Sequence, residues 1–248
     1  MPTKKTTHTQ HVKKLKYFLS KKVGKAIADY DMLQDKDKIL VAVSGGKDSL
    51  ALLKLLKFRQ SFVPIQFDLL AVHIDFGKSK RQSDRLAAFC KKIGVKYCVK
   101  KSNALKSAAR ESFNCFWCSW NRRKVLFQLA DKKKYNKIAL GHHMDDIVET
   151  VLLNLFYQGQ ISAMKPRQEL FEGEVAIIRP LAYIEEKELA RFADLSRDFS
   201  YKTCRCSSAI DSKRVVVEKV IQEVFRHDRQ VKRNIFKSIR RIKKDYLL

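Results

Sequence analysis

The sequence predicts an α/β fold, a doubly wound parallel sheet with basic helices towards both ends of the chain. Three observations carry this expectation. Short apolar runs alternate with longer segments of helical periodicity, the order that builds parallel sheets. One run, Ile39-Leu40-Val41-Ala42-Val43, leads straight into Ser44-Gly45-Gly46-Lys47-Asp48-Ser49, a glycine-rich strand-to-helix turn. With 248 residues and no internal repeat, the chain is long enough to bury a real core.

Taken in order, residues 1–11 read as a disordered basic tail. An amphipathic helix follows over Val12–Tyr30, with Leu15, Phe18, Leu19, Val23 and Ile27 on its apolar face and lysines elsewhere. The strand Ile39–Val43 and the helix Leu50–Phe58 flank the glycine turn. Phe67–Asp75 is a second strand, and a helix over Gln82–Ile93 leads to a strand over Lys96–Lys100. Arg122–Lys134 reads as a helix and Lys137–Leu140 as a short strand running into Gly141-His142-His143-Met144-Asp145-Asp146. Ile147–Tyr157 is helical, Val175–Arg179 a strand, Glu185–Asp194 a helix, and a long basic helix runs from Asp211 towards the end. Three units result: a tail and helix over 1–30, the α/β domain over 31–210, and a basic helical region over 211–248.

Composition narrows the function. Lys and Arg number 52 against 26 Asp and Glu, a formal charge of +26. Solubility needs far less charge than this, so a polyanionic partner is expected, bound with steep salt dependence. No stretch approaches the roughly 20 apolar residues of a membrane-spanning helix. The start is polar rather than that of a signal peptide, and although free of acid it has no Arg before Arg59, unlike a transit sequence. A cytoplasmic protein with no membrane partner is expected. Four of the six cysteines fall in two close pairs, which suits metal or cluster chemistry in a reducing compartment better than disulfides.

The motifs carry the chemistry. Ser44–Ser49 lets backbone N–H groups approach an anion at a helix N-terminus. It lacks the four residues that separate glycine from Gly-Lys-Ser/Thr in the common P-loop. Open parallel sheets bind ligands beyond the carboxyl ends of their strands, which puts Ser44–Ser49, Asp75 and Gly141–Asp146 at one rim. Asp145 and Asp146 suit Mg²⁺ held against phosphate oxygens; two His and two Asp so close also suit a metallohydrolase. Asp75 suits a ribose or metal contact, or a turn. Cys115-Phe116-Trp117-Cys118 sets two sulfurs on one side of a helix or turn, and Cys204-Arg205-Cys206 supplies further thiolates. Zinc with four thiolates and an iron–sulfur cluster with three or four both remain open at this level. Arg122, Arg123 and Lys124 add positive charge beside the first pair, which lowers thiol pKa values and suits a phosphate or RNA backbone.

Together, Ala26–Met32, Ser44–Ser49, Cys115-x-x-Cys118 with Arg122-Arg123, Leu140–Asp146 and Ile178-Arg179-Pro180-Leu181-Ala182-Tyr183 closely resemble the tRNA 2-thiocytidine synthetase branch of the PP-loop ATPases, over nearly the whole chain from Val12. The resemblance implies an enzyme that binds ATP and Mg²⁺, adenylates the C2 oxygen of a tRNA cytidine (position 32 of the anticodon loop in that branch) and replaces that oxygen with sulfur. It implies a [4Fe–4S] cluster on Cys115, Cys118 and Cys204. Here the later pair is C-x-C rather than C-x-x-C-G, with Ser207 in place of the glycine, so Cys206 competes with Cys204 as third ligand. By the same resemblance Ser44, Gly45, Gly46, Lys47, Asp48, Ser49, Asp75 and Gly141 bind the nucleotide. Asp48, Asp145, Asp146 and Arg123 are the catalytic candidates. The implied partners are tRNA and a sulfur donor (a cysteine desulfurase or sulfide); the sequence leaves open whether the chain forms a homodimer. Thiouridine synthetases often carry extra terminal zinc cysteines, and this chain has none before Cys90. A zinc-bound, non-catalytic RNA-binding protein is the alternative from a different class.

Overall fold

Every apolar run expected to be a strand enters one sheet. The computed structural model describes residues 4–77, 80–102, 115–196 and 213–246. Strands β1 (Asp37–Ala42), β2 (Phe67–Asp75), β3 (Lys96–Lys101), β4 (Lys137–Ala139), β5 (Arg167–Leu170) and β6 (Val175–Ile178) are ordered β3-β2-β1-β4-β6-β5. All neighbours pair in parallel except β5, which runs antiparallel along β6 at one edge. The chain leaves β1 towards β2 and β3, then returns to the other side of β1 as β4. The crevice at the carboxyl ends of β1 and β4 is therefore the topological switch point, where such sheets bind ligands.

Alternation along the strands sends side chains to two cores. Ile39 and Val41 of β1 and Leu69 and Ala71 of β2 face one cluster with α1 (Lys4–Asp29), α2 (Lys47–Arg59), α3 (Lys80–Ile93) and α6 (Glu186–Ser196). Leu40, Leu70 and Val72 face the other, closed by Leu126, Leu129 and Ala130 of α4 (Cys115–Lys133). A third cluster joins Met144 and Val148 of α5 (Met144–Gln158) to Val217 and Ile221 of α7 (Lys213–His227). The last helix, α8 (Val231–Ser238), adds Ile235 and Phe236 to that cluster.

Several boundaries differ from expectation. Helix α1 begins at Lys4, so the segment expected to be disordered is helical from that residue onward. The expected long C-terminal helix is two: the Asp228 carboxylate accepts from the Gln230 N–H at 2.7 Å and breaks the chain between α7 and α8. Strand β5 was not expected. Its sequence, Arg-Gln-Glu-Leu, is polar because only one edge pairs, and Arg167 turns out to meet Asp31 at 2.5 Å. Helices α2, α4 and α5 each begin earlier than periodicity indicated, which brings Lys47, Cys115 and Asp145 into first turns.

Helix α1 is part of the main core: Leu19, Val23 and Ala26 are fully buried, and Arg59 at the end of α2 donates to the Ser20 carbonyl at 2.9 Å. Leu19→Ala is expected to lower unfolding free energy by about 2–5 kcal/mol in urea titration. A loss under about 0.5 kcal/mol would mean that α1 lies outside the cooperative unit.

Candidate functional site

The glycine turn is held by its own side chains. After Val43, whose N–H joins the Val72 carbonyl, the chain turns through Gly45 at φ +88°. A Cβ there would sit 2.5 Å from the Gln82 amide nitrogen, which donates to the Ser44 carbonyl at 2.7 Å. Ser49 Oγ accepts from the Ser44 N–H at 3.2 Å and donates to the Gly46 carbonyl at 3.0 Å, while Ser44 Oγ accepts from the Gly46 N–H. Both serine hydroxyls are thus spent on shaping the turn. Gly46 is the N-cap of α2 and offers no side chain to the helix, so the N–H groups of the first turn remain available to an anion.

Gly141 brings the second wall to this turn. A Cβ on Gly141 would lie 3.0 Å from the Ser49 nitrogen, 3.1 Å from Ser49 Cα and 3.2 Å from the Asp48 carbonyl carbon. All three are backbone atoms, which give way less readily than a side chain. The loop after β4 therefore lies directly on the first turn of α2, closer than a side chain at position 141 would accept without a backbone shift.

Beyond Gly141 stands a dense charge cluster. Asp146 closes a capping box on α5, accepting from the His143 N–H at 3.0 Å. Its other oxygen pairs with Arg214 of α7 at 2.6 Å. Asp145 accepts from the Glu186 N–H at 2.7 Å and pairs with Lys232 of α8 at 2.5 Å. Burial alone would raise the pKa of Asp145, but His143, Lys232 and the Glu186 N–H outweigh it and hold the carboxyl far below its ordinary range. Asp146 is lowered too, because His143 and His142 overcome its burial. Burial would likewise lower His143, yet Asp145, Asp146 and Asp48 raise it above the usual imidazole value. His142 goes the other way: burial depresses it to about 4.

Lys47 reaches Glu186 at 2.7 Å, with its pKa raised because Glu186 and Asp48 outweigh the burial of the amine. Asp48 is the exception in this cluster. Its Oδ2 lies 3.5 Å from Lys47, while Oδ1 is buried with no hydrogen-bond partner. Burial pushes the pKa of Asp48 up. A buried carboxylate oxygen without a partner is costly and fits a hard divalent cation, which prefers one or two carboxylates beside phosphate oxygens. Asp145 and Asp146, the carboxylates expected to hold Mg²⁺, each already face a cation of the C-terminal helices. Asp75 lies at the same rim but accepts from the Gly77 N–H at 2.8 Å, a turn contact.

Cys115 and Cys118 occupy the first turn of α4, three positions apart on one helical face. Cys118 is half-buried and free of disulfide, so its thiol is open to a metal centre. Cys204 and Cys206 lie outside the described residues. One turn on, Arg123 carries a buried Nε with no partner. Arg179, which is 4% exposed, donates through Nε to His142 Nδ1 at 3.3 Å and through Nη1 to the Lys165 carbonyl. Burial, and then the charge of Arg123, depress Arg179 to about 10. The charge of Arg123, on the cysteine helix, is thus felt at Arg179 beside His142, and two such guanidiniums suit an anion. Arg179, Arg214, Lys232, Glu186 and Gln82 were not expected here. Arg179 stood in a noted motif without a role, and nothing distinguishes Arg214 or Lys232 from the other basic residues of their helices.

A family model described as a PP-loop domain matches residues 9–203. The tRNA-cytidine(32) 2-sulfurtransferase of Geobacter sulfurreducens is 38% identical over 232 residues, 91% of this chain and 90% of that protein. The protein of the same name from Pseudomonas fluorescens is 36% identical over 242 residues, 95% of this chain and 88% of that protein. Among solved structures, the U34-tRNA thiolase NcsA from Methanococcus maripaludis with its [4Fe-4S] cluster shares the fold at a TM-score of 0.75 and 24% identity, covering 92% of this chain and 78% of that one. The switch-point turn, the glycine contact behind it and these matches give one result: the chain belongs to the PP-loop family, within the group of the tRNA-cytidine(32) 2-sulfurtransferases.

Proposed function

We propose that this chain is an ATP-dependent tRNA thiolase that exchanges the C2 oxygen of an anticodon-loop cytidine for sulfur. The observation that carries this reading is the seat of Gly141 on the Ser49 backbone, which joins an anion-binding helix N-terminus to a carboxylate cluster in a chain so similar to tRNA-cytidine(32) 2-sulfurtransferases. ATP phosphates bind within the Ser44–Ser49 turn, on the free backbone N–H groups at the start of α2 and the Lys47 ammonium, with Gly141 as the close wall and Asp75 towards the ribose. Asp48 would hold Mg²⁺, and Asp145 or Asp146 would join it in place of the contact to Lys232 or Arg214. Arg123 and Arg179 hold the phosphate that is attacked.

The chemistry then follows. The cytidine C2 oxygen forms a bond to the α-phosphorus, and pyrophosphate leaves against the cations of the turn. A hydrosulfide sulfur adds at C2, the C2–O bond breaks, AMP departs with the original oxygen, and the sulfur loses its proton. Adenylation is needed because an amide-like oxygen is a poor leaving group. Cys115, Cys118 and Cys204, with Cys206 as rival to Cys204, would hold a [4Fe–4S] cluster, which supplies a soft Lewis-acidic iron for a sulfur ligand. A cysteine desulfurase or free sulfide is the donor. On this reading residues 31–210 carry the chemistry, residues 1–30 and 211–248 serve the RNA, and the enzyme works in the cytoplasm, as a homodimer.

Anaerobic reconstitution with iron and sulfide, then incubation with tRNA, ATP, Mg²⁺ and sulfide, is expected to yield 2-thiocytidine by nucleoside mass analysis. Thiouridine would overturn the cytidine assignment, and no thionucleoside from a loaded protein would overturn thiolation. Cys118→Ala is expected to cut thiolation by about 100-fold or more with tRNA affinity nearly unchanged; equal loss of both would sink the cluster role. Gly141→Ala is expected to lower kcat/KM for ATP by about 100-fold, read by pyrophosphate release. Unchanged kinetics would remove the close wall from the mechanism.

A further inference from the structure

Away from the glycine turn, a cleft of about 570 Å³ opens between α1 and the C-terminal end of the chain. Its walls include Lys25 of α1, Tyr183, and Arg233, Phe236, Lys237 and Arg241 from α8 onward. The volume falls within the roughly 300–1,000 Å³ of small-ligand sites. None of Ser44–Ser49 lines it, so it is a different site from the phosphate cradle. Six Lys or Arg side chains surround it, and no Asp or Glu is among the described lining residues. Half of those six are neutralised nearby: Lys22 pairs with Glu188 at 2.7 Å, Lys25 with Asp29 and Arg233 with Glu185. Lys237 and Arg241 face no carboxylate among the described residues, so two full charges stand uncompensated.

The apolar part of the cleft is aromatic. Tyr183 and Phe236 meet edge to face with centroids 5.6 Å apart, and Tyr30 continues the row at 5.7 Å from Tyr183. The Arg240 guanidinium lies 5.3 Å above Tyr30. Flat rings beside Lys237 and Arg241 match a ligand that is itself a flat ring joined to an anion. The site also lies beside the acidic cluster. Met144, which lines it, precedes Asp145, and Arg233 follows the Lys232 that holds Asp145.

We propose that this cleft seats one unstacked nucleotide of the tRNA, its base against Phe236 and Tyr183 and its phosphates on Lys237 and Arg241. The inference rests on the tRNA-modifying reading above and adds where the RNA is gripped outside the reacting centre. A single-stranded nucleotide suits the site because aromatic stacking and backbone charge are how unpaired RNA is held. A duplex cannot present a base to a concave pocket.

The test is tRNA binding by the full chain across a salt series. Lys237→Ala with Arg241→Ala is expected to weaken tRNA binding about tenfold and to reduce the slope of log K against log salt by about 1.4, near 0.7 for each lost phosphate contact. ATP affinity and melting temperature should stay at wild-type values. Phe236→Ala should cost about fivefold or more in tRNA affinity, and Phe236→Trp should restore it, because stacking tolerates any aromatic ring. Wild-type affinity and salt slope in the double variant would overturn the proposal while leaving the thiolation reading intact. Loss of binding to phosphatidylserine vesicles, with RNA binding untouched, would overturn it in favour of a lipid surface. A wild-type chain that neither binds nor thiolates tRNA would overturn both readings.

Discussion

The contact of Gly141 with the backbone of Ser49 is the constraint on which the rest of the site depends. Strands β1 and β4 are neighbours in the sheet, but neighbouring strands alone do not bring their following loops together. The loops meet because one of them lacks a side chain at the point of approach. From that contact follow the neighbourhood of Asp48, His143 and Asp146, the burial that raises Asp48, and the mutual charges that raise His143 and lower Asp146 against their burial. Parallel sheets generally offer a crevice at the switch point; here its two loops come within contact because position 141 has no Cβ.

Around that contact the charges form a chain rather than isolated pairs. Lys47 meets the Glu186 carboxylate, the Glu186 N–H meets Asp145, and Asp145 meets Lys232. A second chain runs from His143 through Asp146 to Arg214 and on to Glu149. Each carboxylate of the acidic pair is thereby tied to one of the two C-terminal helices, and Lys47 of the glycine turn is tied to α6. The ion pairs are partly buried, so removing one partner would leave a charge without compensation. Asp48 differs from Asp145 and Asp146, since its buried Oδ1 has no hydrogen-bond partner.

Much of this was legible in the chain. Strands β1 and β2 declared themselves as apolar runs, and the Gly-Gly turn stood out because little else combines two glycines with a strand and a helix. The rim followed from sheet topology alone. What stayed hidden was of two kinds. Boundaries such as the start of α5 depend on a capping box in which His143 replaces the usual Ser or Thr. Long-range partners depend on folding: Arg214 and Lys232 sit in stretches where basic residues are common, and only the packing of α7 and α8 on α5 selects these two. Strand β5 escaped notice because one paired edge places no apolar demand on Arg167 or Glu169.

The two outer strands have a consequence for how the molecule behaves in a crowd. An open sheet ends in rows of unpaired N–H and C=O groups, which invite another chain to add a strand. Here β3 carries Lys96, Lys100 and Lys101 on one side, and β5 carries Arg167 and Glu169 on the other. Two copies approaching β3 to β3 would bring like charges into register and strip their water. A strongly cationic protein that must concentrate on nucleic acid thus keeps its sheet from growing into a neighbour's, and crowding along an RNA need not end in a fibre.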